Sequence, residues 1–223
     1  SQKNKLYFFD YVYEDYTKFE GTTLMDLVKK GKKKEQYESE YEALKNKLKD
    51  RQKEELEKET ESDYGFEVDD FTYEILNTGR FGKNEPYMGK ESFAVKNKLI
   101  KKAGENYILE IGRLIGEQVL IEEKERKRDN NVYSIYPRSY DEEVVFNIPT
   151  GYSVTGLDKL NKKIENKTGG FISSAIVDGN KLIIKAHKYY INYYEPKENW
   201  NDMLAFLDAA QQFTQEKILL KKS

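Results

Sequence analysis

The chain has 223 residues, with 38 Lys and Arg against 40 Asp and Glu, and it contains no cysteine. The near-balance of charge removes the basic field a nucleic-acid binder needs, and with it any general pull toward anionic membranes. Without cysteine there can be no disulfide, thiolate metal site, iron–sulfur cluster or Cys nucleophile. No apolar run approaches the roughly 18–20 residues that span a bilayer, so no membrane insertion is expected.

Eighteen tyrosines and 11 phenylalanines, against one tryptophan, suit half-buried pleated surfaces and argue for an ordered, β-rich chain. The start, Ser1-Gln2-Lys3-Asn4-Lys5, has neither an initiator Met nor an apolar signal stretch, which suggests a piece of a longer protein.

In chain order, Leu6–Tyr13 is an aromatic and β-branched run of strand length. The Lys29–Lys34 cluster, broken only by Gly31, reads as an exposed loop. A helix is expected at about 36–59, where Tyr37, Tyr41, Leu44 and Leu48 form one narrow apolar stripe on an otherwise charged surface. Strands follow at Phe66–Leu76, Glu91–Lys96, Tyr107–Ile111 and Val119–Glu122, separated by the turn signals Gly79, Gly82, Pro86, Gly89 and Gly104.

Charge then thins. Residues 131–223 hold only 12 of the Lys and Arg and 11 of the Asp and Glu, so a solvated boundary is expected across Glu122–Asn131. This gives residues 1–130 as a charged β-rich region with one surface helix, and 131–223 as a β-hairpin module with a C-terminal helix. Whether the two pack as one unit is left open.

In the second region, Val144–Ile148 is a strand stopped by Pro149, and Gly151–Val154 resumes it. Phe171–Val177 and Lys181–His187 flank Asp178-Gly179, which predicts a hairpin with a type I′ turn. Asn199 is a candidate cap for a second helix at about 199–215, whose residues Trp200, Met203, Leu204, Phe206, Leu207, Ala210 and Phe213 make a wide apolar face. Ile218–Leu220 closes the chain as a strand. The fold class expected is mainly β (α+β): an antiparallel, sandwich-like architecture with two helices.

Little in the chain reads as catalytic chemistry. His187 is the only histidine, and no nucleophile signature lies near it, so a half-exposed strand residue is the preferred reading. One His without Cys is a poor zinc set, and Glu67, Asp69 and Asp70 lack the spacing of a calcium loop. Glu142, Glu143 and Glu195 could form a glycosidase pair only by a spatial arrangement that sequence does not give. Gly79–Gly82 lacks the Gly-Lys-Ser/Thr ending of a phosphate loop, and Gly169-Gly170 precedes a strand instead of a helix. No cofactor, metal site or catalytic residue is assigned. The one binding feature is an aromatic cluster, Tyr189, Tyr190, Tyr193 and Tyr194, for which core packing is the competing reading.

From Tyr136 onward, several elements follow one order. They are Tyr136-Pro137, Glu143–Asn147, Ile148-Pro149-Thr150-Gly151-Tyr152-Ser153-Val154, Val177–Leu182, and Trp200–Leu220 ending in Glu216-Lys217-Ile218-Leu219-Leu220. That order resembles the C-terminal region of bacterial transglutaminase-like proteins. These are multidomain, exported or predicted-exported proteins with an N-terminal β-sandwich, a papain-like core bearing a Cys-His-Asp triad, and a β-rich C-terminal module. The resemblance covers roughly residues 133–223, and the first 130 residues only in general layout. It implies a triad upstream of this chain, none of whose residues can be carried over.

The expected function is therefore a non-catalytic accessory module, scaffolding or positioning substrate beside an upstream transglutaminase-like domain of the same protein. The resemblance implies a periplasmic or extracellular setting. An independent β-sandwich module that binds glycan or peptide is the alternative.

Overall fold

A computed structural model describes residues 31–77, 86–95 and 99–223. The expected strand at Leu6–Tyr13, and Lys29 and Lys30 of the lysine cluster, lie outside these residues. The chain divides into two compact units, one formed by Ser1–Ser62 with Glu67–Val95 and the other by Asp63–Phe66 with Lys96–Ser223.

In the first unit, helix α1 (Lys32–Tyr64) supplies residues up to Ser62, and strands β1 (Asp69–Asn77) and β2 (Met88–Ala94) pair antiparallel. Lys32–Lys34 begin the helix instead of forming a loop. Tyr37 and Leu44 of the expected stripe are exposed and Tyr41 is half-buried. The buried positions lie further along at four-residue steps: Gln52, Leu56 and Thr60. Two of these are polar and are satisfied, Gln52 Oε1 by the Tyr73 hydroxyl at 2.7 Å and the Thr60 hydroxyl by Glu91 Oε2 at 2.9 Å. Asp70, with φ 54°, sits at an irregularity in the β1 register, which accounts for the Asp69-Asp70 pair without a ligand.

The second unit is mainly β, with two four-stranded antiparallel sheets. Its strands are β3 (Ile100–Ala103), β4 (Asn106–Leu109), β5 (Val132–Tyr133), β6 (Arg138–Asn147), β7 (Tyr152–Thr155), β8 (Lys162–Asn166), β9 (Gly169–Asp178), β10 (Lys181–Tyr190), β11 (Tyr194–Glu195) and β12 (Ile218–Lys222). Sheet order is β6-β10-β9-β8 in one and β3-β4-β12-β7 in the other, and β5 and β11 form a separate two-stranded ladder. Helix α2 (Trp200–Phe213) lies on β8 and β9. Both sheets and α2 contribute to one core, including Leu109, Phe171, Leu182, Ile184, Phe206 and Ile218. The fold class expected from sequence, mainly β with two helices, is what the described residues adopt.

The β9–β10 hairpin turns at Gly179-Asn180, and only Gly179 has positive φ, 58°. That is the pattern of a type II′ turn, where the sequence suggested type I′. Asn199 does not cap α2. Its side-chain amide instead donates to Glu195 Oε2 at 2.8 Å.

Two further expectations need correction. Val119–Glu122 is not a strand but an irregular segment with Val119 and Leu120 exposed. Residues 122–131 lie inside the second unit, so the division falls near residue 95 and not near 130. Their charges are used locally. Arg126 makes two hydrogen bonds to Asp208 of α2, at 2.9 and 3.0 Å. The Trp200 indole donates to the Glu125 carbonyl at 3.1 Å, and the Arg128 guanidinium stands 4.8 Å from the Trp200 ring. A bidentate guanidinium–carboxylate pair fixes geometry as well as charge, so this stretch is a strap across α2.

Candidate functional site

Strand alternation sends Tyr189 and Tyr190 to opposite faces of the β6-β10-β9-β8 sheet. Tyr190 faces the core side, with its ring 5.3 Å edge-to-face from Phe206 and the Arg138 guanidinium 5.1 Å away on another side. Tyr189 lies on the open side, stacked with His187 at 4.9 Å and donating to Glu165 Oε1 at 3.0 Å. Tyr193 and Tyr194 belong to a third place, the β5–β11 ladder. The structure therefore does not bring the four tyrosines together.

The Gly169-Gly170 pair has a packing role. A Cβ on Gly169 would collide with the Tyr189 backbone carbonyl and stand 3.1 Å from the Phe206 ring, and one on Gly170 would stand 2.8 Å from the Tyr189 ring. Two side-chain-free positions thus admit one aromatic on each face of β9.

On the open face, cross-strand pairs form rows. Val145, Ile183 and Ile176 make an apolar row, with Val145 and Ile176 exposed at 46% and 58%. The next rows hold Glu143–Lys185 at 3.0 Å and Asp141–His187 at 2.7 Å. A shallow depression runs over Asp141, Glu143, Ile172, Ser174, Lys185 and His187. His187 is thus oriented by a carboxylate. Sequence reasoning missed Asp141, which is recognisable only from strand register.

The core-side face carries Lys188, buried and donating to Gln118 Oε1 at 2.5 Å. Its ammonium also stands 5.1 Å from the Tyr140 ring. Burial, reinforced by Arg138 and opposed by Glu142, pushes the Lys188 amine down to about 8. Partial desolvation, with Asp63 and Asp141 adding to it and Lys188 opposing it, raises the carboxyl of Glu142, a residue exposed overall, above its usual range. The local environment disfavours charge on both groups.

A cavity of about 450 Å³ is lined in part by Glu110, Arg113, Gln118, Gln211 and Lys217. Glu110 accepts from Lys217 at 2.8 Å and from Lys101 at 3.1 Å, and its carboxyl is held low chiefly by the Lys217 hydrogen bond.

The β5–β11 ladder pairs Tyr133 with Tyr194 and Val132 with Glu195. The Tyr133 and Tyr193 rings meet at 6.3 Å and 89°. Buried Glu195 accepts from Asn192 at 2.7 Å as well as from Asn199, and Asn131 donates to the Tyr194 hydroxyl at 2.6 Å. Among the described residues, no group of three His, Asp or Glu side chains converges as metal ligands would. No helix among them is long and apolar enough to cross a membrane.

A two-sheet core with one helix docked across it and a strap over that helix defines a β-rich α+β module. The chain belongs to the family described as a domain of unknown function with solved structure, DUF3858, which matches residues 109–220, about half of its length. No curated protein and no solved structure matches the chain.

Proposed function

We propose that this chain is a non-catalytic accessory module of a bacterial, exported transglutaminase-like protein, packed beside an upstream core where it scaffolds or positions substrate. The observation that carries the reading is the open face of the β6-β10-β9-β8 sheet. One side of that sheet is filled by α2 and the core, while the other leaves Val145, Ile183 and Ile176 side by side across three strands. The apolar row, flanked on one side by the paired Glu143 and Lys185 and on the other by Lys181 and Asp178, suits a neighbouring domain that covers the row and answers the charges beside it. The resemblance over residues 133–223 supplies the identity of that neighbour, and a periplasmic or extracellular setting follows from the same resemblance.

The test is calorimetry between the 223-residue chain and the upstream transglutaminase-like region. Binding weakened at least about tenfold by Ile176→Asp is the expected result. Absence of binding at about 100 μM, or binding indifferent to that substitution, would remove the reading.

A further inference from the structure

We propose that the β5–β11 ladder is a binding platform for a neutral oligosaccharide, with Tyr133 and Tyr193 as its stacking rings. Charge comes first. In a chain that is 35% charged, residues 131–137 and 189–194 contain no charged side chain. The charges that flank these stretches are Asp129, Arg138, Lys188 and Glu195, of which Lys188 and Glu195 are buried and Glu195 is engaged by two asparagines. An ionic partner would find few charges to pair with across these stretches, so the surface suits a neutral one.

The exposed groups narrow the chemistry further. Tyr133 and Tyr193 are 70% and 58% exposed and meet at a right angle, which forms a corner with one ring as floor and the other as wall. Among the described residues, the exposed hydroxyls of Tyr133, Tyr136 and Tyr193 bond no other protein group and are left to solvent or a ligand. Free ring faces beside free hydroxyls match a pyranose, which offers a C–H face and a rim of neutral hydroxyls. A purely apolar partner would leave those phenols without partners as they are desolvated.

The corner is also held in place before any ligand arrives. Asn131 braces the Tyr194 hydroxyl and accepts from the Lys197 amide at 2.9 Å, and the Ser134 amide donates to the Tyr193 carbonyl at 2.7 Å. Ordering done in advance is ordering that the ligand need not bring about. The platform shares no residue with the proposed docking face, so either can fail alone.

The experiment titrates the intact chain with cellohexaose, laminarihexaose, mannohexaose and chitohexaose by NMR and calorimetry. Folding of each variant is checked by Trp200 fluorescence. At least one hexasaccharide should bind, with Tyr133→Ala and Tyr193→Ala each weakening it about tenfold and Tyr189→Ala leaving it unchanged. No binding by any of the four at about 10 mM would overturn the proposal, as would binding that survives both substitutions. Concentration-dependent self-association abolished by Tyr133→Ala would also overturn it, by making a second copy of the chain the occupant.

Discussion

The Lys188 ammonium donates to Gln118 Oε1 at 2.5 Å, joining the core-side face of β10 to the irregular segment that follows Ile115. The amine is buried, and burial together with Arg138 brings it down to about 8, while Glu142 opposes the shift. An unfolded lysine releases its proton near 10.5. Between these values the unfolded chain binds more protons than the folded one, so stability rises as pH goes from about 8 to about 10.5. Below that window the folded state carries the full cost of a buried charge, on the order of 3 kcal/mol. Urea unfolding across pH 7–10.5 should show this rise, and Lys188→Met should flatten it.

Glu142 has the opposite chemistry with a related consequence. Its carboxyl is raised, chiefly by partial desolvation although the residue is exposed overall, so the folded state holds the proton more tightly than the unfolded one. Stability linked to this group is present below the unfolded value of 4.5 and is lost as pH rises through the folded value. Glu142→Gln should therefore stabilise the chain at pH 7 and leave it little changed at pH 4. Loss of stability at pH 7 would show that the carboxylate makes a net favourable contact.

Leu207 lies on the α2 face buried against the core. Leu207→Ala should cost about 2–5 kcal/mol. Trp200, the one tryptophan, sits on the same helix and reports unfolding of this unit by fluorescence. A loss below about 0.5 kcal/mol would place the side chain on the surface.

Gly170 is required by what lies over it. A Cβ there would stand 2.8 Å from the Tyr189 ring and 2.9 Å from the Ile164 carbonyl. Gly170→Ala should destabilise by about 1–3 kcal/mol, and Tyr189→Ala in the same chain should recover part of that. Strict additivity in the double-mutant cycle would mean that the ring does not press on this position.

Arg126 and Asp208 tie residues 123–126 to α2, with both side chains roughly a third exposed. A double-mutant cycle should give a coupling of about 0.5–1 kcal/mol. Hydrogen exchange in the strap should quicken in Arg126→Met. Independence of the two sites would make this stretch the loose connection that its composition suggested.

What was legible in the sequence follows from which signals are local. The β9–β10 hairpin and α2 announce themselves through Asp178-Gly179 between apolar runs and through a wide apolar helical face, and both form. Strand β8, Lys-Lys-Ile-Glu-Asn, has one apolar residue; the backbone of β9 recruits it at the sheet edge, and no pattern records that. Val119-Leu120-Ile121 has strand composition but finds no partner strand, so it stays irregular. The density of charge at 122–131 looked like solvation because Asp208, which answers Arg126, is 82 residues away in sequence.

The candidate sites divide in the same way. Alternation along a strand already separates Tyr189 from Tyr190. The uncharged stretches at 131–137 and 189–194 were a readable signal for the ladder, but their meeting across β5 and β11 rests on two residues in each strand. Asp141 beside His187, and Gln118 beside Lys188, come from long-range register and chain path, which composition does not encode.

The most direct measurement follows the methyl resonances of Val145, Ile176 and Ile183 while the proposed partner, an upstream transglutaminase-like region, is added. A docked accessory module predicts saturable shifts at these three, with the core methyls of Ile111 and Ile184 left in place. Shifts confined to other surfaces, or none at all, would contradict the docking face.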